Sequence, residues 1–237
     1  MTRRVLVTGA SSGIGRAVVR LLADRGDHVW AVARRTEELK KLQQETAPHE
    51  FSFSACDVTQ PAQVQAAFRQ MESAGFSPDA VVLNAGINRQ DLIPHYNASD
   101  YRDVFETNLF GALVWVDAFL PVFLKRREGQ FVAVSSMSAF LTHGRGAAYS
   151  ASKSALSLTF QAFQKRYQAE GILFSIIHFG PIETAMWNKG RFIFLRSDTQ
   201  AARQILKAID RKKTLIDYPW SLVWMVRFHQ LLSWIRF

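Results

Sequence analysis

Cysteine is almost absent from this chain of 237 residues: Cys56 stands alone. One thiol can form neither an intramolecular disulfide nor a thiolate metal cluster, which points to a reducing compartment and to no bound metal. Acidic residues are in deficit, with 20 Asp and Glu against 29 Lys and Arg and a net charge of +9. Nucleic-acid binding would need that charge gathered on one face with a recognisable module. No such module is present, so the excess reads as solvated helix faces and as a match for an anionic small ligand. A long apolar leader is missing too. Val5-Leu6-Val7, after Arg3-Arg4, has the length of a buried strand and not of an export signal's core, so a cytoplasmic location is expected. Repeats, low-complexity tracts and linkers are not found. What remains is a chain 48% hydrophobic and 21% charged, too apolar for disorder and long enough to bury a core without staples.

Apolar segments at Arg4–Thr8, His28–Ala33, Phe51–Cys56, Ala80–Leu83, Phe131–Ser135, Phe174–Phe179 and Thr214–Tyr218 read as strands. Helical patterns lie between them: one after Gly15 that stops at Gly26, then Pro61–Ser73, Asp100–Lys125, Ala147–Glu170 and residues 199–210. Alternating strands and helices imply βαβ units with right-handed crossovers. The strands lack strict polar alternation, as expected when helices cover both faces. The expectation is a single doubly wound α/β domain on a mostly parallel seven-stranded sheet, spanning 1–218, with 219–237 as an amphipathic aromatic and basic tail of the same domain.

The first strand runs into Thr8-Gly9-Ala10-Ser11-Ser12-Gly13-Ile14-Gly15 and then a helix. Gly9 permits the tight turn, Gly13 lets the backbone approach a pyrophosphate, and Gly15 lets helix and strand pack closely. The free N–H groups of Ser11, Ser12 and Ile14 at the helix start suit phosphate. A glycine-rich turn by itself is also an ordinary strand–helix connection. Its place after the first strand favours a dinucleotide site of Rossmann type.

The Gly-x3-Gly-x-Gly spacing resembles the short-chain dehydrogenase/reductase family in its compact form. The resemblance runs through nearly the whole chain: the Thr8–Gly15 loop, Asp57, Asn84-Ala85-Gly86, Asn108, Ser136, Tyr149-x3-Lys153, and Gly180-Pro181 with Thr184. It implies a nicotinamide-dependent oxidoreductase. The second strand ends in Ala33-Arg34-Arg35, with no acid to bind a ribose hydroxyl and two guanidinium groups able to pair with a 2′-phosphate. NADP(H) is therefore expected, with Arg34 the main contact and Arg35 beside it. The resemblance assigns Asp57 and Val58 to the adenine ring; Asp57 reads equally as a cap for the helix starting at Pro61. Small residues at Asn84, Ala85 and Gly86 leave room for the cofactor, while Asn84 serves as well as a tie between strands. Backbone groups at Pro181 and Ile182 and the Thr184 hydroxyl are expected at the carboxamide and phosphates. The family usually has Pro before Gly180; this chain has Phe179.

Tyr149 and Lys153 are four residues apart early in a helix and share one face. A free phenol titrates near ~10, too high for a base at neutral pH. Lys153 and the positive charge of oxidised nicotinamide both favour phenolate, so a lowered pKa is expected. The resemblance also has Lys153 holding the nicotinamide ribose and Asn108 holding a water that relays protons. Ser136, 13 residues before Tyr149, has the family's spacing for the serine that steadies the developing oxyanion; Ser135 and Ser138 are its rivals. The catalytic set is thus Tyr149, Lys153, Ser136 and Asn108, transferring hydride between nicotinamide and a carbonyl or alcohol. That set argues against the alternative of a catalytically silent NADP-binding regulatory protein; a membrane-surface protein is the other alternative, to be separated by vesicle flotation and a substrate screen. A homodimer or homotetramer is expected.

Substrate choice falls to the loop Ala185–Asp198, which holds Met186, Trp187, Phe192, Ile193, Phe194 and Leu195 and faces His143–Gly146. Such a lid suits an apolar substrate contacted by Ser136, Met186 and Trp187, or else simply packs on the domain. His143 is not needed as an acid. In the tail, Trp224, Phe228, Leu231, Leu232 and Ile235 follow helical spacing after the basic Arg211-Lys212-Lys213. Arg227, His229 and Arg236 interrupt it too often for a spanning helix. It fits either an in-plane membrane helix or packing on its own or a partner subunit.

Overall fold

The computed structural model describes residues 2–49, 51–89, 97–141, 146–184, 186 and 194–235, with the backbone only over 229–235. Seven strands form one parallel sheet in the order β3-β2-β1-β4-β5-β6-β9. They are β1 (Arg4–Thr8), β2 (His28–Ala33), β3 (Ser52–Ala55), β4 (Ala80–Leu83), β5 (Gly129–Ser136), β6 (Ile172–Phe179) and β9 (Leu215–Tyr218). β7 (Ile182–Glu183) and β8 (Arg196–Ser197) pair separately as a two-stranded ribbon. β1 has β2 on one side and β4 on the other, so the chain reverses its direction of travel there. At such a switch point the loops leaving the strand ends part and open a cleft.

Strand residues alternate between two cores, as the pleat demands. Val5 and Val7 face α1 (Gly13–Asp24), α2 (Thr36–Glu45) and α7 (Asp198–Asp210). Leu6 faces the side of α3 (Pro61–Ser73), α5 (Gly111–Arg126) and α6 (Ala147–Tyr167). On that second side a run of aromatic rings crosses from α5 through the sheet to α6. Phe123 meets Phe131 at 4.9 Å, Phe131 meets Phe174 at 5.0 Å, and Phe174 meets Phe160 at 5.4 Å. These tilted, stacked and edge-on contacts fill the space between the sheet and the helix that carries the chemistry.

Several boundaries differ from expectation. The helix expected over 100–125 runs from Ala98 to Arg126, as α4 (Ala98–Phe105), a π turn at Glu106–Phe110, and α5. By length and composition it could cross a membrane. Here Trp115, Phe119 and Phe123 on it are fully buried in the second core. α6 ends at Tyr167, with Gln168–Glu170 a 3-10 turn. α2 was not anticipated: only Leu39 and Leu42 on it are buried, too few to leave an apolar period. The tail does form a helix, α8 (Trp220–Ile235). Its packed face is Leu222 and Val223, whereas Trp220, Trp224, Met225 and Phe228 point to solvent. The expected stripe member Trp224 is 63% exposed and Phe228 is 55% exposed, so these rings do not pack on their own subunit.

Candidate active site

A cleft of about 580 Å³ opens over the carboxyl ends of β1, β2, β4, β5 and β6, from Arg34 and Arg35 at one end to Met186 at the other. The loop after β1 forms its floor. Gly9 has φ +66°, a left-handed conformation that costs other residues energy. Gly15 stands behind the loop: a Cβ there would collide with Gly9 O and lie 2.5 Å from Asn84 Nδ2. It does not line the cleft and instead allows the close helix–strand packing expected of it. Ser11, Ser12, Gly13 and Ile14 line the cleft, and Thr184 closes over Gly13 from the opposite wall.

The Asn84 amide donates to Thr8 O at 3.1 Å and Gly9 O at 3.2 Å. Thr8 Oγ1 accepts from the Asn84 and Ala85 amides. Of the two roles open to Asn84, the side chain performs the strand tie. Asp57 accepts from the Thr59 amide and hydroxyl, the turn that leads to α3. Partial burial opposes its charge, but those bonds and the Arg34 guanidinium outweigh it and hold its pKa below the usual value. The neighbouring Cys56 thiol is pushed up to about 11, first by burial and then by Asp57, and stays protonated at neutral pH.

The two arginines differ in placement. Arg35 donates to Ser11 Oγ at 3.0 Å and Ser12 Oγ at 2.7 Å and so lies on the phosphate loop itself. Arg34, expected as the main contact, is 66% exposed and reaches Asp57 at 3.5 Å. Both line the cleft, next to Ala33.

At the far end the Tyr149 phenol hydrogen-bonds Ser136. Ser136 Oγ also accepts from the Ser138 amide, in the 3-10 turn Met137–Phe140. The rival Ser135 also borders the cleft, but it is buried and its hydroxyl is committed to α6, bonded to Ser157 Oγ at 2.8 Å and to Lys153 O at 3.3 Å. Ser138 lines the cleft too and contributes its amide to Ser136. Lys153 is 4% exposed, its Nζ donating to Val134 O at 2.8 Å. Burial lowers its pKa to about 8.

The Tyr149 phenol departs from expectation. Burial raises its pKa and the Ser136 bond opposes that without reversing it. The ammonium meant to stabilise phenolate lies 5.8 Å from the ring centroid and is itself desolvated and bonded to Val134. In the chain by itself, loss of water around the phenol outweighs that neighbour.

Asn108 lies behind Lys153, 1% exposed, in the π turn. Its Oδ1 accepts from the Ile87 amide at 2.7 Å, and its Nδ2 donates to Ile87 O and Ser152 Oγ, both at 3.0 Å. Both amide protons are committed to tying the loop after β4 to α6. The side chain therefore sets the wall beside Lys153, and a π turn is a frequent way to open a helix at a functional site.

A Cβ on Gly86 would come within 3.1 Å of Asn108 Oδ1 and 3.5 Å of Lys153 Nζ, so glycine keeps that corner open. Val58, Ala85, Pro181 and Ile182 line the walls as expected. Phe179, in place of the usual Pro, continues β6 and sets its ring against Tyr218 at 6.3 Å. Met186 lines the substrate end and is 47% exposed; Trp187 and His143 lie outside the described residues. Sequence reasoning missed Met137, Ile87 and Asn88 in the lining, because they carry no motif and reach the cleft only through neighbours that do. It also missed a buried polar chain behind the site. His178 Nδ1 meets Asp217 Oδ1 at 2.8 Å, and its Nε2 meets Ser157 Oγ at 3.1 Å.

A parallel sheet with a phosphate-binding loop at its switch point, and a Tyr–Ser–Lys cluster across the cleft, define a nicotinamide-dependent oxidoreductase fold. The short chain dehydrogenase family model matches residues 3–192. An uncharacterized oxidoreductase of Myxococcus xanthus is 30% identical over 234 residues, covering 97% of this chain and 92% of that protein. A 3-oxoacyl-[acyl-carrier-protein] reductase of Bos taurus is 32% identical over 186 residues, 78% of each chain. A solved short-chain dehydrogenase of Streptomyces avermitilis superposes with a TM-score of 0.86 at 26% identity, covering 98% of this chain and 94% of that one. The chain belongs to the short-chain dehydrogenase/reductase family.

Proposed function

We propose that the chain is an NADP(H)-dependent oxidoreductase that interconverts a carbonyl and an alcohol on an apolar small molecule. The observation that carries this reading is the Tyr149 phenol bonded to Ser136, with Lys153 buried beside it at the open end of a cleft that begins at a phosphate-binding loop. The cofactor supplies or accepts the hydride when bound. Every other task falls to the chain. Tyr149 Oη gives its proton to the substrate oxygen in reduction and takes it back in oxidation. Its raised pKa keeps the phenol protonated in the empty site, the form that reduction draws on. Ser136 Oγ steadies the same oxygen as charge develops. Lys153 and the corner left open by Gly86 hold the ribose. An intact set of these groups favours an active enzyme over a silent NADP-binding protein.

NADP(H) over NAD(H) is supported by Ala33 where an acid would otherwise repel phosphate, and by two guanidinium groups at the same end. An apolar substrate is supported by Met137 and Met186 at the other end. NADPH-consumption assays over aldehydes and ketones of graded size test the reading, with Tyr149→Phe as control. The variant should bind NADPH as the native protein does and lose at least a hundredfold in turnover. Retained turnover overturns the assignment.

Assembly as a homodimer or homotetramer belongs to the same reading. Phe110 and Leu158, 48% and 66% exposed on adjoining helices, are apolar surface that a second copy would cover. For location we propose the cytoplasm, with α8 resting on an anionic membrane surface. Trp220, Trp224, Met225 and Phe228 face outward, and Arg211, Lys212 and Lys213 are exposed just before β9. A chain of net charge +9 is attracted to an anionic leaflet. Flotation with phosphatidylserine vesicles should carry the native chain and leave the Trp220→Ser, Trp224→Ser double variant behind; equal flotation rejects the membrane contact.

A further inference from the structure

Tyr149, Lys153 and Ser157 succeed one another at intervals of four on α6, so they form a single stripe. The first two carry the chemistry. The third anchors the stripe from behind. Ser157 Oγ lies 2.8 Å from Lys153 O, 2.8 Å from Ser135 Oγ and 3.1 Å from His178 Nε2. His178, fully buried on β6, meets Asp217 on β9 at 2.8 Å. Asp217 in turn accepts from Arg227 of α8, at 3.3 Å to Oδ1 and 3.2 Å to Oδ2. The Arg227 guanidinium also stacks 4.4 Å from the centroid of Phe140. Phe140 closes the short turn that begins at Ser136 and lies edge-on to His178 at 4.5 Å.

The order Ser157–His178–Asp217 has the geometry of a hydrolytic triad. Ser157 is 3% exposed, His178 is 0% exposed, and neither lines the cleft, so no substrate reaches them. The arrangement has a different use. Donor counting gives it a direction. Asp217 is an acceptor, so Nδ1 carries a proton toward it, while the Ser157 hydroxyl donates to Lys153 O and lies against Nε2. Ser135 supplies the remaining donor toward Ser157 or Lys153 O. These contacts tie α6 to β5, β6 and, through His178, to β9, and their lengths fix the setting of α6 against the sheet. Apolar contacts would permit small slides; hydrogen bonds of fixed length and angle do not.

We propose that Arg227 is a positioning residue for this reaction: through Asp217, His178 and Ser157 it fixes the Tyr149–Lys153 stripe, and through Phe140 it fixes the turn that holds Ser136. The C-terminal helix, which carries no catalytic motif, is thereby part of the active-site frame. Holding the guanidinium over Phe140 leaves Arg227 Nε buried without an acceptor among the described residues. The contact therefore forfeits part of the arginine's bonding, which a purely stabilising role would not favour. Arg227 touches neither cleft nor cofactor site, so its loss should act on alignment and not on binding. Displacements of an ångström at reacting atoms slow reactions by up to about a hundredfold.

The inference rests on the oxidoreductase reading for its kinetic test and has a second test free of it. Steady-state kinetics of Arg227→Met and Ser157→Ala should each show a roughly tenfold lower kcat, with the NADPH dissociation constant within twofold of native. Arg227→Lys should recover part of the loss. The double variant should be no worse than the poorer single one, because both act through one chain. A kcat within twofold of native in a folded Ser157→Ala or Arg227→Met protein, or effects that multiply, overturns the proposal. If the native chain turns over no carbonyl, the oxidoreductase reading fails by itself. In that case hydrogen exchange decides: amides of 149–157 should exchange at least tenfold faster in Arg227→Met while those of α1 are unchanged, and equal exchange in α6 overturns the positioning role. Should Arg227→Met not fold, Arg227→Lys and Ser157→Ala carry the same comparisons.

Discussion

Replacing Lys153 by Met is expected to abolish turnover and yet to stabilise the cofactor-free protein. Lys153 keeps an ammonium in a site 4% exposed, where burial is the cause that lowers its pKa from 10.5 to about 8. That fall corresponds to about 3 kcal/mol held against the charged form at neutral pH. Methionine removes the charge and fills similar space. It also forfeits the bond from Nζ to Val134 O, 2.8 Å long and worth about 1.5 kcal/mol because its donor is charged. The net expectation is a gain of about 1–2 kcal/mol, or roughly 2–8 °C in Tm for a chain of this size. The pH dependence gives the sharper check. The folded pKa lies below the unfolded one, so between pH 8 and 10.5 the unfolded state binds more protons and native stability rises with pH. Below pH 8 the full penalty is present; above 10.5 it is gone. In thermal melts without cofactor the Lys153→Met protein should therefore melt higher than native at pH 7, and that advantage should shrink and then reverse as the pH rises towards 10.5. A variant less stable than native at pH 7, or a difference that ignores pH, refutes the reasoning.

Removing either arginine at the cofactor end should weaken NADPH binding, with Arg35→Ala costing more than Arg34→Ala because Arg35 already lies on Ser11 and Ser12. A charge-assisted bond of about 1.5–3 kcal/mol implies roughly a ten- to hundredfold rise in the Arg35→Ala dissociation constant. Fluorescence titration should show NADH binding unchanged, and an equal loss for both cofactors would reject the 2′-phosphate role. Gly15→Ala forces a methyl into Gly9 O and Asn84 Nδ2, an overpacking cost of about 1–3 kcal/mol that urea unfolding should register. Native stability in that variant would show that the loop can move aside.

Much of the sheet and site was legible in the sequence, for local reasons. Val5-Leu6-Val7 reads as a strand because both its faces are buried, and the loop after it because three glycines occupy positions that backbone geometry dictates. Tyr149 and Lys153 share a face because helix periodicity places them there. The misreadings also have causes. Two buried leucines left too faint a period to reveal α2. Arg34 and Arg35 cannot be ranked from a dipeptide; which one lies on the loop depends on where α2 starts. The phenol was expected to acidify because a lysine lies four residues on, but a pKa answers to solvent access and to where Nζ points. Lys153, on α6, points at Val134 of β5.

The residues by themselves determined the reaction family, the order of strands and helices, and which side chains could do the chemistry, since those follow from short-range spacing and from motifs within a turn or two. Only the tertiary structure decided what each polar group does with its hydrogen bonds. It turned Asn108 and Asn84 into ties and committed the Ser135 hydroxyl to Ser157 and Lys153 O. It set the outer face of α8 toward solvent. It also joined Ser157, His178, Asp217 and Arg227, four residues from four separate elements, into one chain behind Tyr149. No spacing rule links residues brought together by sheet order, because their contact depends on the whole fold being assembled first.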